Sequence, residues 1–194
     1  RADAGGVDGG QCMWGGVHGC VPVARCTHSA AAPAATIDAM SLSIPAAFVP
    51  LQLRPNPYID ACGPLYGRRE GEALVLGLRV ERRHCNPGGS CHGGMLSTLA
   101  DMLLVLGAGA QTGLSRYMVT VNRSCDFIAP AMEGAWVEGR LQVLRSTRNL
   151  VFCQGNLQAD GALVLRLSGI AKPSGAHETS FTLAHYLGEV GPEK

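Results

Sequence analysis

Seven apolar residues, Met95, Leu96, Leu99, Leu103, Leu104, Val105 and Leu106, crowd one run between Gly94 and Gln111. At helical spacing they leave almost no polar face, so a helix here belongs inside a core. Its polar interior positions are Ser97, Thr98 and Asp101. A strand-like segment with partial alternation, residues 72–82, precedes the helix. Four more follow it, at residues 117–127, 135–144, 150–158 and 162–171, separated by turn material. Asp160-Gly161, between the last two, is a hairpin signal. A helix buried on all sides with about five strands around it implies an α+β chain in which an antiparallel sheet curls around the helix.

The flanks differ from this middle. Residues 1–39 are rich in Gly and Ala, poor in charge and without period, and are read as a leader that is disordered or foreign to the native protein. Met40 opens a more ordinary sequence. Residues 45–67 read as a short helix and a loop, residues 40–173 as the folded domain, and residues 174–194 as a polar tail with a short helix near 183–187. The leader contains Cys12, His18, Cys20, Cys26 and His28, but their spacings match no familiar zinc module, so no metal is expected.

Composition narrows the function. The chain has 194 residues, 46% hydrophobic and 16% charged, which fits one compact domain. A net charge of +1 with scattered Lys and Arg gives no electrostatic case for nucleic acid or an anionic membrane. No apolar run is read as reaching the length of a bilayer span, the nearest being broken by Asp101 and two glycines. The eight cysteines include no C-x-x-C pair and no secretory signal precedes them, so reduced thiols in the cytoplasm are expected.

Residues 84–101, HCNPGGSCHGGMLSTLAD, concentrate the chemistry. Glycines at a helix start offer bare N–H groups to a developing negative charge. An acid further along an apolar helix has no inexpensive structural reason to be there. An aspartate's ordinary pKa, about 3.9, makes it a base or nucleophile at neutral pH rather than an acid. Gly93 and Asp101 are eight residues apart, about 12 Å of helical rise, whereas a reacting carbon lies within about 3–3.5 Å of its attacker. One helix can hardly serve one carbonyl with both groups. Two antiparallel helices from two copies can, so a homodimer with interfacial sites is expected.

The pattern His-x-Asn-x-x-Gly-x-x-His-Gly-Gly, followed by an acid eight residues after the first Gly of the pair, is filled by His84, Asn86, Gly89, His92, Gly93, Gly94 and Asp101. With Val119-Thr120-Val121-Asn122, residues 126–131 and the basic turn within residues 145–157, it resembles the hotdog-fold acyl-CoA thioesterases, in the branch typified by the phenylacetate-pathway (PaaI-like) enzyme. The resemblance spans residues 45–173. It implies hydrolysis of an acyl-CoA thioester without a cofactor, CoA being part of the substrate. It further implies a homodimer, or a dimer of dimers. Asp101 would be general base or nucleophile, and the Gly93 N–H would bind the thioester oxygen. Asn86 and His92 would shape or polarise that site, and Thr120 would place water. Gly89, Gly94 and Asn122 would contact substrate, and Arg148 would meet the CoA phosphates. Thr147 stands where a glycine is common and Asn149 follows the basic residue, departures that bear on the CoA contacts.

Two other functions compete. A hydratase or dehydratase on the same fold wants a His paired with the acid, and this helix carries none. A non-catalytic acyl-CoA-binding module has no use for Asp101. A serine hydrolase lacks its G-x-S-x-G elbow.

Overall fold

The computed structural model describes residues 43–189. The leader, residues 1–39, with its five candidate metal ligands, lies outside the described residues. Seven antiparallel strands form one sheet: β1 (Val49–Pro50), β2 (Tyr66–Glu70), β3 (Ala73–Arg79), β4 (Arg116–Phe127), β5 (Trp136–Ser146), β6 (Val151–Ala159) and β7 (Ala162–His177). Their order across the sheet is β1-β2-β3-β5-β6-β7-β4. One long helix, α2 (Gly93–Thr112), packs against β3, β4, β5, β6 and β7, so the sheet curls around it as the apolar run requires. Two short helices, α1 (Pro57–Cys62) and α3 (Leu183–Tyr186), lie outside that wrap in sequence.

The core is the meeting of α2 with the inner faces of the strands. Leu99, Leu103 and Leu104 of α2 are fully buried, as are Leu76, Val137, Leu157 and Leu165 of the sheet. A leucine in that position cannot be truncated without leaving a void, because five strands already surround it. Leu103→Ala is expected to lower stability by about 2–5 kcal/mol, measured by urea unfolding. A loss below about 1 kcal/mol would mean that the core collapses onto the gap.

Helix α2 qualifies by length and composition as a membrane span, contrary to the sequence expectation that no run reaches that length. With 67% of its 18-residue apolar window buried inside the fold, it is a core helix here. The expectation of a helix buried all round also needs correcting. Gly94 is exposed, while Ser97, Asp101, Met102 and Val105, spaced along one stripe, are only half-buried. That stripe runs beside β4, which among the described residues is an edge strand with no neighbour on its outer side.

The hairpin signal holds: Ala159 pairs with Ala162, and Asp160 and Gly161 both take positive φ, 47° and 86°, as a primed two-residue turn demands. Strand β2 is a difference from the sequence reading, which runs a loop through Gly67. Tyr-Gly-Arg-Arg-Glu has no apolar alternation to announce a strand; it is one because β3 offers it a ladder from Tyr66↔Gly77 to Glu70↔Ala73. The tail is also not polar. β7 continues to His177, and Phe181, Leu183, Tyr186 and Leu187 then fold back into the core. Phe181 packs on Tyr117 of β4, with ring centroids 5.7 Å apart.

His84 belongs to this structural layer. It is 4% exposed, its Nδ1 accepts the Glu81 N–H at 3.0 Å, and its Nε2 is buried without a hydrogen bond. Burial holds the imidazole below its ordinary pKa, against an opposing pull from Glu81. The unfolded chain therefore binds a proton near pH 6.5 that the native chain refuses, and stability rises with pH through that window. The melting temperature is expected to fall between about pH 7.5 and 5.5, and His84→Gln, which cannot titrate, to flatten the fall. An equal slope in both proteins would remove His84 as its cause.

Candidate active site

Asp101 sits in the third turn of α2, on the half-buried stripe, and its side chain keeps 41% of its surface exposed. Among the described residues it is thus less covered than its apolar surroundings in the sequence imply. Its Oδ1 accepts the Thr120 hydroxyl at 2.9 Å. Arg123 Nε lies 3.3 Å from the same oxygen, an ion pair outside hydrogen-bond geometry. Oδ2 has no partner among the described residues. One oxygen is held and the other is open.

The two β4 residues reach Asp101 together because the strand is irregular. Thr120 pairs with Ala171 and Asn122 with Ile170, so Val121 is an extra residue, a β-bulge. In a regular strand, positions 120 and 123 point to opposite faces. The bulge shifts the phase by one residue, and Met118, Thr120, Arg123 and Cys125 all face the helix side while Val121 and Asn122 are both exposed. Thr120 therefore joins the acid, as expected from sequence, and Asn122 does not.

The helix start holds the other group. His92 is the N-cap, and its Nδ1 accepts the Gly94 N–H at 2.9 Å. That bond occupies the Gly94 donor and leaves the Gly93 N–H without a partner among the described residues. The Phe127 ring lies 3.5 Å from where a Cβ on Gly93 would stand. Asn86 spends its side chain on its own loop: Oδ1 accepts from Gly88 N at 2.9 Å and Ser90 N at 3.4 Å, and Nδ2 donates to Ser90 Oγ at 3.0 Å. Gly89 turns that loop at φ 79°, a conformation a side chain resists. Both residues shape the approach to α2. Arg148 is exposed at the β5–β6 turn and has no side-chain partner among the described residues.

A cleft of about 1100 Å³ opens in front of Asp101. Ser97, Thr98, Asp101, Thr120 and Arg123 give it a polar wall, and Met102, Val105, Met118, Phe181 and Tyr186 an apolar end. Tyr58 of α1 crosses its mouth. Thr98 donates to the Gly94 carbonyl at 3.0 Å, so its single proton is used and Tyr58 donates to Thr98 Oγ1 at 2.8 Å. Sequence reasoning missed Tyr58 and Arg123. Nothing local marks either: Tyr117, Val119, Val121, Cys125 and Phe127 keep one two-residue phase, and Arg123 falls within it.

Residues 88–164 match the family model of the thioesterase superfamily. An esterase-named protein of Pseudomonas aeruginosa is 37% identical over 134 residues, which cover 66% of this chain and 96% of that protein. The chain belongs to the thioesterase superfamily. Thioester hydrolysis is its reaction class. Two solved structures agree with the architecture. The E. coli PaaI protein from the phenylacetic acid degradation operon is similar with a TM-score of 0.56 at 20% identity, over 63% of this chain and 87% of that one. A hypothetical thioesterase from Streptococcus pneumoniae, solved with coenzyme A, gives 0.53 at 16% identity, over 59% and 88%. This thioesterase has the hotdog fold, an antiparallel sheet wrapped around one helix, as its sequence resemblance implies.

Proposed function

We propose that this thioesterase hydrolyses an acyl- or aryl-CoA thioester to the free acid and CoA, with Asp101 as general base or nucleophile. The observation that carries the reading is the Asp101 carboxylate itself, tied through Oδ1 and open through Oδ2 to a cleft with an apolar end. As a base it takes a proton from water, which attacks the thioester carbon; as a nucleophile it attacks directly and water hydrolyses the resulting anhydride. Either way the carbonyl oxygen gains negative charge, the thiolate of CoA leaves, and a backbone N–H is the natural donor to the oxygen. No cofactor enters this chemistry. The CoA-bound neighbour supports the CoA half of the substrate, and the exposed Arg148 side chain, without a partner among the described residues, suits contact with the CoA phosphates. A hydratase would want a histidine beside the acid, and among the described residues none lines the cleft.

The oxyanion donor is the Gly93 N–H of a second copy. Both groups lie on one unbroken helix, about 12 Å apart along its axis. The free outer edge of β4, twelve residues long with Tyr117, Val119 and Val121 57%, 41% and 54% exposed, is a surface that a monomer rarely leaves open. A copy related by a two-fold axis would cover that edge and the α2 stripe at once, giving a homodimer that further pairing can double.

Release of free thiol from a panel of acyl-CoA thioesters, ranked by kcat/KM, tests the reaction and names the acyl group. No release above the uncatalysed rate from any aryl or medium-chain member would refute it. For the shared site, Asp101→Ala protein is mixed with Gly93→Pro protein. Two inactive parents whose heterodimers recover turnover support a cross-subunit site; exchanged heterodimers that remain inert contradict it.

A further inference from the structure

Two ion pairs on β4 invite comparison. Near the end of the strand Asp126 takes Arg166 Nη2 at 2.7 Å, with side chains 55% and 72% exposed. Such a pair in water adds little. The Arg123 side chain is only 21% exposed and is held at three points. Its Nε faces Asp101 Oδ1 at 3.3 Å, while its Nη1 donates to the Ser97 carbonyl at 2.7 Å and to Cys125 Sγ at 3.2 Å. Ser97 and Asp101 are one helical turn apart on the open stripe of α2. The guanidinium thus grips that turn at two heights, a task for which its rigid fork is suited and a lysine ammonium is not.

We propose that Arg123 is a positioning residue for thioester hydrolysis, locking the Asp101 carboxylate through Oδ1 so that Oδ2 alone is presented to the reacting carbon or its water. This rests on the reading of Asp101 given above. Asp101 stands on a half-buried stripe with 41% of its side chain exposed. Thr120 supplies one hydrogen bond, about which a carboxylate can still pivot. Arg123 supplies a second point of attachment, and its own place is fixed by a backbone carbonyl that does not move. Productive attack tolerates little error in distance, so the lock acts on the chemical step and not on substrate binding.

The experiment compares Arg123→Gln and Arg123→Lys with wild type, each also in an Asp101→Asn background, with Arg166→Gln as an exposed-pair control. Arg123→Gln is expected to lower kcat about 10- to 100-fold with KM within about threefold of wild type. Arg123→Lys, which keeps the charge without the fork, falls between Gln and wild type. In the Asp101→Asn background neither substitution lowers turnover further, because a residue acting only through Asp101 has nothing left to position. Arg166→Gln stays within about twofold of wild type. A raised KM at unchanged kcat would make Arg123 a substrate contact and overturn the proposal. So would an added loss in the Asp101→Asn background, or a Lys variant equal to wild type or no better than Gln. If the Gln protein does not fold, the Lys variant and its double variant decide by the same criteria. Full turnover in Asp101→Asn overturns the role of Asp101 and this inference with it; an inert Asp101→Asn alongside a wild-type Arg123→Gln overturns this inference alone.

Discussion

Asp101→Asn lowers kcat by about 10²–10⁴-fold and leaves the melting temperature nearly unchanged. The amide keeps an oxygen for the Thr120 hydroxyl, which donates to Oδ1 at 2.9 Å. It loses the charge that could take a proton from water or attack a carbonyl. The fold has little stake in that charge, since the side chain is 41% exposed and the pair it forms is a single long contact to Arg123. Initial rates of thiol release and a circular-dichroism melt on the same sample separate the two effects. Turnover within about threefold of wild type would leave the acid without a chemical role.

Gly93→Pro is the second large effect, expected at about 10²–10³-fold in kcat. A backbone donor is usually beyond the reach of mutagenesis, but here the position allows it. Gly93 is the first residue of α2, where proline is well tolerated and its ring removes only an N–H that the helix does not use. His92 before it has φ −60° and ψ 137°, the extended conformation a residue preceding proline adopts. The nearest atom to a new Cβ is a Phe127 ring carbon at 3.5 Å, an ordinary contact. Gly93→Ala presents the same Cβ and keeps the N–H, so it should retain most of the activity. A proline variant as active as the alanine variant would dismiss Gly93 as the oxyanion donor. Equal losses in both would assign the effect to bulk.

Much of this arrangement is legible in the sequence because it rests on local chemistry. The leucines from Leu96 to Leu106 require a surrounding sheet, and the expected strand ranges fall within a few residues of β4, β5 and β6. Asp160-Gly161 turns where glycine beside an aspartate predicts. What escapes depends on partners distant in the chain. β2 exists because β3 pairs with it, and Phe181 and Tyr186 are core residues because an uncovered sheet end awaits them. The half-open stripe of α2 escapes for a related reason: Gly94 and Ser97 are small enough to be read as interior packing, and only the edge position of β4 among the described strands reveals that the stripe is left partly open. Among the candidate residues, Asp101 and Thr120 meet through a hydrogen bond and Gly93 opens α2. Asn86 and Gly89 are spent on building a loop, and Arg123 went unnoticed because strict alternation puts it on the far side of the strand from Thr120.

That last error has an evolutionary reading. Thr120 and Arg123 stand three apart in the sequence but two apart in the ladder, because the bulge takes Val121 out of the pairing. Deleting Val121 would restore even pairing to β4 and leave the hydroxyl and the guanidinium two residues apart, still on one face of the strand. The face that serves the acid is kept by how the ladder counts and not by how the sequence does, so β4 can gain or shed this one amino acid without unwiring the acid.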